Sequence, residues 1–220
     1  MKTLEFKPFE KKPEQFGVFE TIKISKKRPL RLNLHYERMR KSCIELGIGI
    51  LPPFEEFEKQ AKTMCLNENN FLKITALKSG IFFETGRRKI PEKPVKLAII
   101  EDRRVNSRNP LLKHKTTDYQ FFQKITEYAE GLNCYDGVIL NEKGNITQTG
   151  KCNIYFKKGN SIITPPLQDG LLPGTIRRIL VDSKLVKEKS IPLKAITQFE
   201  ECFVSNALIG FRKAEIINLR

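Results

Sequence analysis

Lys115 is the residue with the most chemistry to offer. It stands in the run Leu111-Leu112-Lys113-His114-Lys115-Thr116-Thr117-Asp118-Tyr119, just after Asn109-Pro110. Beyond the run, Phe121, Phe122, Ile125, Tyr128 and Ala129 recur at helical spacing. Thr117 and Asp118 suit the N-cap position, so the spacing predicts a helix that opens right behind Lys115. A lysine at such a place sits near unpaired backbone N–H groups and the positive end of the helix dipole. With Lys113 and His114 alongside, that environment favours the neutral amine, which can form a Schiff base and carry protons. Lys113 is the competing lysine. The same residues also fit a solvated charge cluster at a helix end.

Two further stretches could hold an anion. His35, Arg38 and Ser42 fall at i, i+3 and i+7, on one stripe of a helix surface. Arg38 pointed into a site would grip an anion with its rigid fork of donors; pointed outward, it is part of an exposed polar face. In Gly174-Thr175-Ile176, glycine allows close approach of a backbone. Two successive N–H groups at a helix start can then cradle a phosphate, with the Thr175 hydroxyl as an extra donor. Pro-Gly before a helix is also ordinary punctuation.

Bulk properties exclude several classes. The 220 residues suffice for one large domain or two small ones with real cores, and the 40% hydrophobic, 30% charged composition is globular. Lys or Arg interrupts every apolar run, so no membrane span is expected. Met1 to Glu14 is charged and Pro-punctuated, unlike a signal peptide. Five scattered cysteines without a C-x-x-C pair read as free thiols of a reducing, cytoplasmic setting, and two histidines assemble no metal site. The +15 net charge is spread along the chain without interleaved aromatics. It points to a cleft attracting a small anionic substrate rather than to nucleic acid.

The elements that must position these residues make an α+β chain. Gly17 to Ile24 alternates as a half-buried strand, Ser25 to Arg28 turns, and Pro29 to Leu32 returns. Asn33 is placed to cap a helix running to about Leu46 and ended by Gly47; Pro53 to Cys65 reads as a second helix. Strands are expected at Phe71–Leu77, Ile81–Glu84 and Val95–Ile100, with a basic, Pro-marked loop at 86–94. In the second half, Asp136–Asn141 pairs with Ile146–Thr149, and Asn153–Phe156 with Ser161–Thr164. A helix from about Leu172 to Ser183 and a strand at Cys202–Ala207 follow. The expected domains are 1–106, small and α+β, and 107–220, with the break at the polar, Pro-marked stretch 106–109.

Five stretches in order resemble the fold-type IV pyridoxal-phosphate family of branched-chain and D-amino acid aminotransferases and 4-amino-4-deoxychorismate lyases. They are Gly17-Val18-Phe19-Glu20-Thr21-Ile22; His35-x-x-Arg38-x-x-x-Ser42; Lys115-Thr116-Thr117-Asp118-Tyr119; Thr147 to Tyr155; and Thr164-Pro165-Pro166 with Gly170 to Arg177. The resemblance implies a D-amino acid aminotransferase-like fold, a small α/β domain plus a pseudo-barrel C-terminal domain, and a homodimer. It implies pyridoxal 5'-phosphate on Lys115, with Arg38, Gly174, Thr175 and Ile176 at the phosphate and Gln148 and Thr149 beside the ring. Ser205, Asn206 and Ala207 would help place a substrate carboxylate. His114-Lys115-Thr116-Thr117 and Ser205 to Gly210 are similar to the lyase forms, which release pyruvate from aminodeoxychorismate and make 4-aminobenzoate for folate synthesis. An aminotransferase and a non-catalytic cofactor binder are the alternatives. Two departures stand out: Gln148 occupies the place of a glutamate against the pyridine nitrogen, and the leading strands are trimmed. A neutral amide can hydrogen-bond to that nitrogen but cannot hold it protonated as a carboxylate does.

Overall fold

The computed structural model describes residues 1–7, 15–66, 69–91 and 94–217. Parts of the expected charged N-terminal stretch (8–14) and of the basic loop (92–93) lie outside them. The chain divides into two compact units, Met1–Lys89 with His114–Asp118, and Ile90–Lys113 with Tyr119–Arg220.

The first unit is built on β1 (Gly17–Ser25). Its alternation sends Val18, Glu20, Ile22 and Ile24 inward. A two-residue turn at Lys26 and Lys27, both left-handed (φ 49° and 57°), returns the chain to the short β2 (Arg28–Pro29). α1 (Leu32–Glu45) then starts directly behind Arg31, itself left-handed at φ 55°. Asn33 therefore lies inside the first turn and is not the cap, and no strand extends to Leu32. α2 (Phe54–Thr63) opens on Pro53 as expected, and β3 (Phe71–Leu77) and β4 (Gly80–Gly86) form the predicted hairpin. The sheet order is β2-β1-β3-β4. Met39, Phe57, Ala61, Leu72 and Ile74 fill the core beneath it. Each large apolar side chain buried there contributes roughly 1.5–3 kcal/mol.

Residues 114–118 join this unit as an extended segment laid along β1. Phe19 N–H bonds to the Lys115 carbonyl at 2.8 Å, and Thr117 N–H to the Gly17 carbonyl at 2.9 Å. The helix behind the lysine, α3 (Gln120–Gly131), opens at Tyr119, not at Thr117 or Asp118. Strand-type pairing captures Thr117: its hydroxyl bonds to the Gln15 carbonyl and accepts from Gly17 N–H. The helix-dipole environment expected for Lys115 is accordingly replaced by that of a sheet edge.

The second unit holds a nine-stranded mixed sheet, begun by β5 (Val95–Val105), β6 (Asp136–Asn141) and β7 (Asn145–Thr149). The hairpin β8 (Asn153–Lys158) and β9 (Ser161–Thr164) leads through a loop into α4 (Thr175–Asp182). The chain ends with β10 (Lys187–Glu188), β11 (Ile191–Pro192), β12 (Glu201–Asn206) and β13 (Gly210–Ile217). The order is β10-β9-β8-β12-β13-β5-β6-β7-β11. α3 packs on β5 and β6, where Ile125 and Ala129 are fully buried. The domain boundary expected at 106 is corrected by β5. This strand runs parallel between β13 and β6, so residues 90–106 belong with the second unit despite preceding the polar break.

Candidate active site

Within the first unit the predicted Arg38 meets an anion, and the anion is the chain's own Glu20. The guanidinium Nε donates to Glu20 Oε1 at 2.7 Å, and Nη2 to Oε2 at 2.6 Å, a bidentate pair. The His35 ring, one turn earlier on α1, places Nδ1 2.6 Å from Glu20 Oε2. Glu20 and His35 are 2% and 1% exposed. Burial alone would raise the Glu20 pKa, but the charges of Arg38 and His35 and their hydrogen bonds together hold it at about 2. Burial pushes the His35 pKa down despite the carboxylate, which favours the neutral ring donating from Nδ1. That tautomer accounts for Nε2, which is buried with no hydrogen-bond partner among the described residues: a bare lone pair costs less there than a bare N–H.

Lys115 lies against the neighbouring residue of the same strand. Its Nζ stands 4.3 Å from the centre of the Phe19 ring, and the side chain is half-buried. Successive residues of a strand face opposite sides. Phe19 and Glu20 thus let β1 receive Lys115 on one face and Arg38 on the other. His114, beside Lys115, has Nδ1 2.9 Å from the Ser42 hydroxyl and Nε2 3.4 Å from Glu45, so α1 also anchors the lysine segment.

In the second unit Leu172, two residues before Gly174, is hydrogen-bonded on both sides. Leu172 N–H donates to Gln148 Oε1 at 2.9 Å, and the Leu172 carbonyl accepts from Asn153 Nδ2 at 2.9 Å. Two residues on, Gly174 forms the N-cap of α4 without any side-chain cap. A β-carbon at Gly174 would lie 1.9 Å from Asn153 Oδ1, so any larger residue would have to displace that side chain. The first α4 hydrogen bond runs from Arg178 N–H to the Gly174 carbonyl. The N–H groups of Thr175, Ile176 and Arg177 precede it and have no carbonyl one turn back.

Three predicted contacts turn elsewhere. The Thr149 hydroxyl, expected beside a cofactor ring, donates to buried Asp136 at 2.5 Å and accepts from Cys152 N–H. Ser205, expected at a substrate, is buried with its hydroxyl 2.7 Å from that of Tyr155. Asn206 caps its own turn: Oδ1 accepts from Leu208 and Ile209 N–H, and Nδ2 donates to the Lys151 carbonyl.

This donor set suits a phosphomonoester on an aromatic ring: an uncapped helix start behind a closely packed glycine, and a buried amide fixed at one end. The class IV amino-transferase family matches residues 17–217. This chain belongs to that family. Members are pyridoxal-phosphate-dependent enzymes, and the chain is one of them. Among relatives, a probable branched-chain-amino-acid aminotransferase of Thermotoga maritima is 28% identical over 87% of this chain and 71% of its own length. The aminodeoxychorismate lyase of Bacillus subtilis is 23% identical over 92% and 78%. A Legionella pneumophila crystal structure, provisionally assigned as a 4-amino-4-deoxychorismate lyase, superposes with a TM-score of 0.90 at 23% identity, covering 100% of this chain and 92% of that one. At that identity it shows the fold, and the fold is the expected fold-type IV architecture.

Sequence reasoning passed over Glu20, Asn153 and Asp136, the residues that hold Arg38, the Leu172 carbonyl and the Thr149 hydroxyl. Glu20 carried a signal: the β1 alternation sets it in line with Val18, Ile22 and Ile24, and an acid on an apolar face needs a partner. Asn153 and Asp136 carried none.

Proposed function

We propose that this enzyme is a pyridoxal-phosphate-dependent aminodeoxychorismate lyase, releasing pyruvate and forming 4-aminobenzoate. The observation that carries the choice is Gln148 where the resemblance calls for a glutamate. The bound coenzyme would withdraw electrons from the substrate carbon; a neutral partner at its nitrogen weakens that pull. Amino-group transfer, which must return a proton to the coenzyme's own carbon, suffers more than an elimination driven by aromatisation of its product. The His114-Lys115-Thr116-Thr117 and Ser205–Gly210 stretches and the B. subtilis relative favour the same side.

In this reading Lys115 Nζ is the covalent anchor and then the proton carrier at the substrate carbon. Phe19 holds that nitrogen against the sheet edge. The N–H groups of Thr175 and Ile176, the Thr175 hydroxyl and Arg38 bind the phosphate. Glu20 acts through Arg38 as a positioning residue, fixing the plane of its guanidinium. With the coenzyme bound, Gln148 would face the pyridine nitrogen, and the backbone around Ala207 would take a substrate carboxylate. The basic surface draws in a dianionic substrate. The reading carries with it a homodimer and, with all five cysteines free and buried, a reducing cytoplasmic setting.

Borohydride treatment of the protein with pyridoxal phosphate tests the anchor: peptide mass spectrometry should find the pyridoxyl adduct on Lys115. An adduct on Lys113, or none, overturns the assignment. Supplied with aminodeoxychorismate, the protein should yield pyruvate and 4-aminobenzoate. Amino transfer to a 2-oxo acid without 4-aminobenzoate would make it an aminotransferase.

A further inference from the structure

We infer that Gln148 keeps the pyridine nitrogen of the bound coenzyme unprotonated by donating an N–H from Nε2, an inference that rests on the reading above. A carboxamide has one accepting edge and one donating edge. The Leu172 N–H can only donate, so at 2.9 Å it fixes Oε1 toward itself. A flip would set donor against donor. Leu172 is held on its other side as well, where its carbonyl accepts from Asn153 Nδ2 and Asn153 Oδ1 is lodged under Gly174. The donating edge of Gln148 is what remains. The side chain is 7% exposed, and among the described residues Nε2 has no hydrogen-bond partner.

A group facing Nε2 must therefore bring a lone pair, which a pyridine nitrogen has and a pyridinium lacks. Asp136, the buried acid of this sheet, does not compete for the place. Asp136 accepts from Thr149, Thr126, Lys151 N–H and Gly137 N–H on the face of β7 opposite Gln148. A glutamate at 148 would keep the Leu172 bond with one oxygen and offer the other to a protonated nitrogen. The substitution thus changes the protonation state of the ring and leaves the Leu172 clamp in place.

The experiment is nitrogen NMR of the holoenzyme reconstituted with pyridoxal phosphate labelled at the ring nitrogen. The bound resonance should sit at the neutral-pyridine position from mildly acidic to mildly basic pH. In Gln148→Glu it should move upfield to the pyridinium position. A pyridinium resonance in the unaltered protein, or no movement in Gln148→Glu, overturns the inference while leaving coenzyme binding intact. No bound resonance at all would overturn both the inference and the reading beneath it.

Discussion

Glu20 of the first unit and Asp136 of the second are both buried carboxylates, and they are held in opposite ways. Glu20 in the first unit is clamped by a guanidinium and an imidazole, and its pKa is held at about 2 although burial alone would raise it. Asp136 in the second unit meets hydroxyls and backbone amides. There burial pushes its pKa up, against the pull of the Thr149 hydroxyl and the nearby Lys151. The first unit thus manages charge with charge, and the second manages it with neutral donors in fixed positions. The same contrast runs through the residues proposed to hold the coenzyme: Arg38 and Lys115 are cations against β1, whereas Gln148, Asn153 and the Gly174 helix start are dipoles and backbone. Ion pairing tolerates small displacements; a clamp of single hydrogen bonds on one residue does not.

The strongest way to break the comparison is Glu20→Gln, which leaves the shape but strands Arg38 beside a neutral group. Removing one partner of a buried pair costs roughly 3–5 kcal/mol, measurable as a lowered urea midpoint, together with weaker coenzyme binding. A loss much smaller than this would mean the guanidinium finds water, and the charge clamp would be a surface feature.

pH separates the two carboxylates by sign. The folded pKa of Glu20 lies below its ordinary value of 4.5, so its contribution is full above pH 4.5 and is lost as pH falls toward 2. That contribution is about 3 kcal/mol. The folded pKa of Asp136 lies above its ordinary 3.8, so its favourable share is present below that value and lost as pH rises through the folded pKa. The stability gap between unaltered protein and Glu20→Gln should therefore widen with rising pH, and the gap to Asp136→Asn should narrow. Parallel slopes in urea melts at several pH values would remove the contrast.

Gly174→Ala sharpens the second half of it. The new methyl meets Asn153 Oδ1 and must displace it from under the helix start. Overpacking of this kind costs about 1–3 kcal/mol. Pyridoxal-phosphate titration should weaken at least in step, because the Leu172 peptide loses its support. Thr117→Val is the gentlest probe. Loss of the hydroxyl contacts to Gln15 and Gly17 should cost about 1 kcal/mol, read in a thermal melt. It should also loosen the segment that carries Lys115.

Much of this was legible in residue order. The alternation of β1, the hairpins through β9 and the glycine before α4 all follow from local period and turn chemistry. Short-range rules fail where partners are far apart. β13 went unrecognised because its burial depends on β12 and β5 beside it. The boundary was placed at the polar stretch near 106, although β5 had already entered the second sheet. Thr117 is a good cap by type, yet pairing with β1, a hundred residues away, took it into an extended segment.

Residue order by itself thus determined which chemical groups the chain owns and the local elements that carry them: a lysine in a distinctive run, an arginine on a helix stripe, a glycine at a helix start, an amide in place of an acid. Tertiary structure alone decided what each group faces. It gave Arg38 a carboxylate of the chain itself, turned Thr149 and Ser205 to internal partners, and locked Gln148 by its oxygen. The reason is that a hydrogen bond's direction depends on where its partner's backbone lies, and that is set by strands and loops far away in the chain.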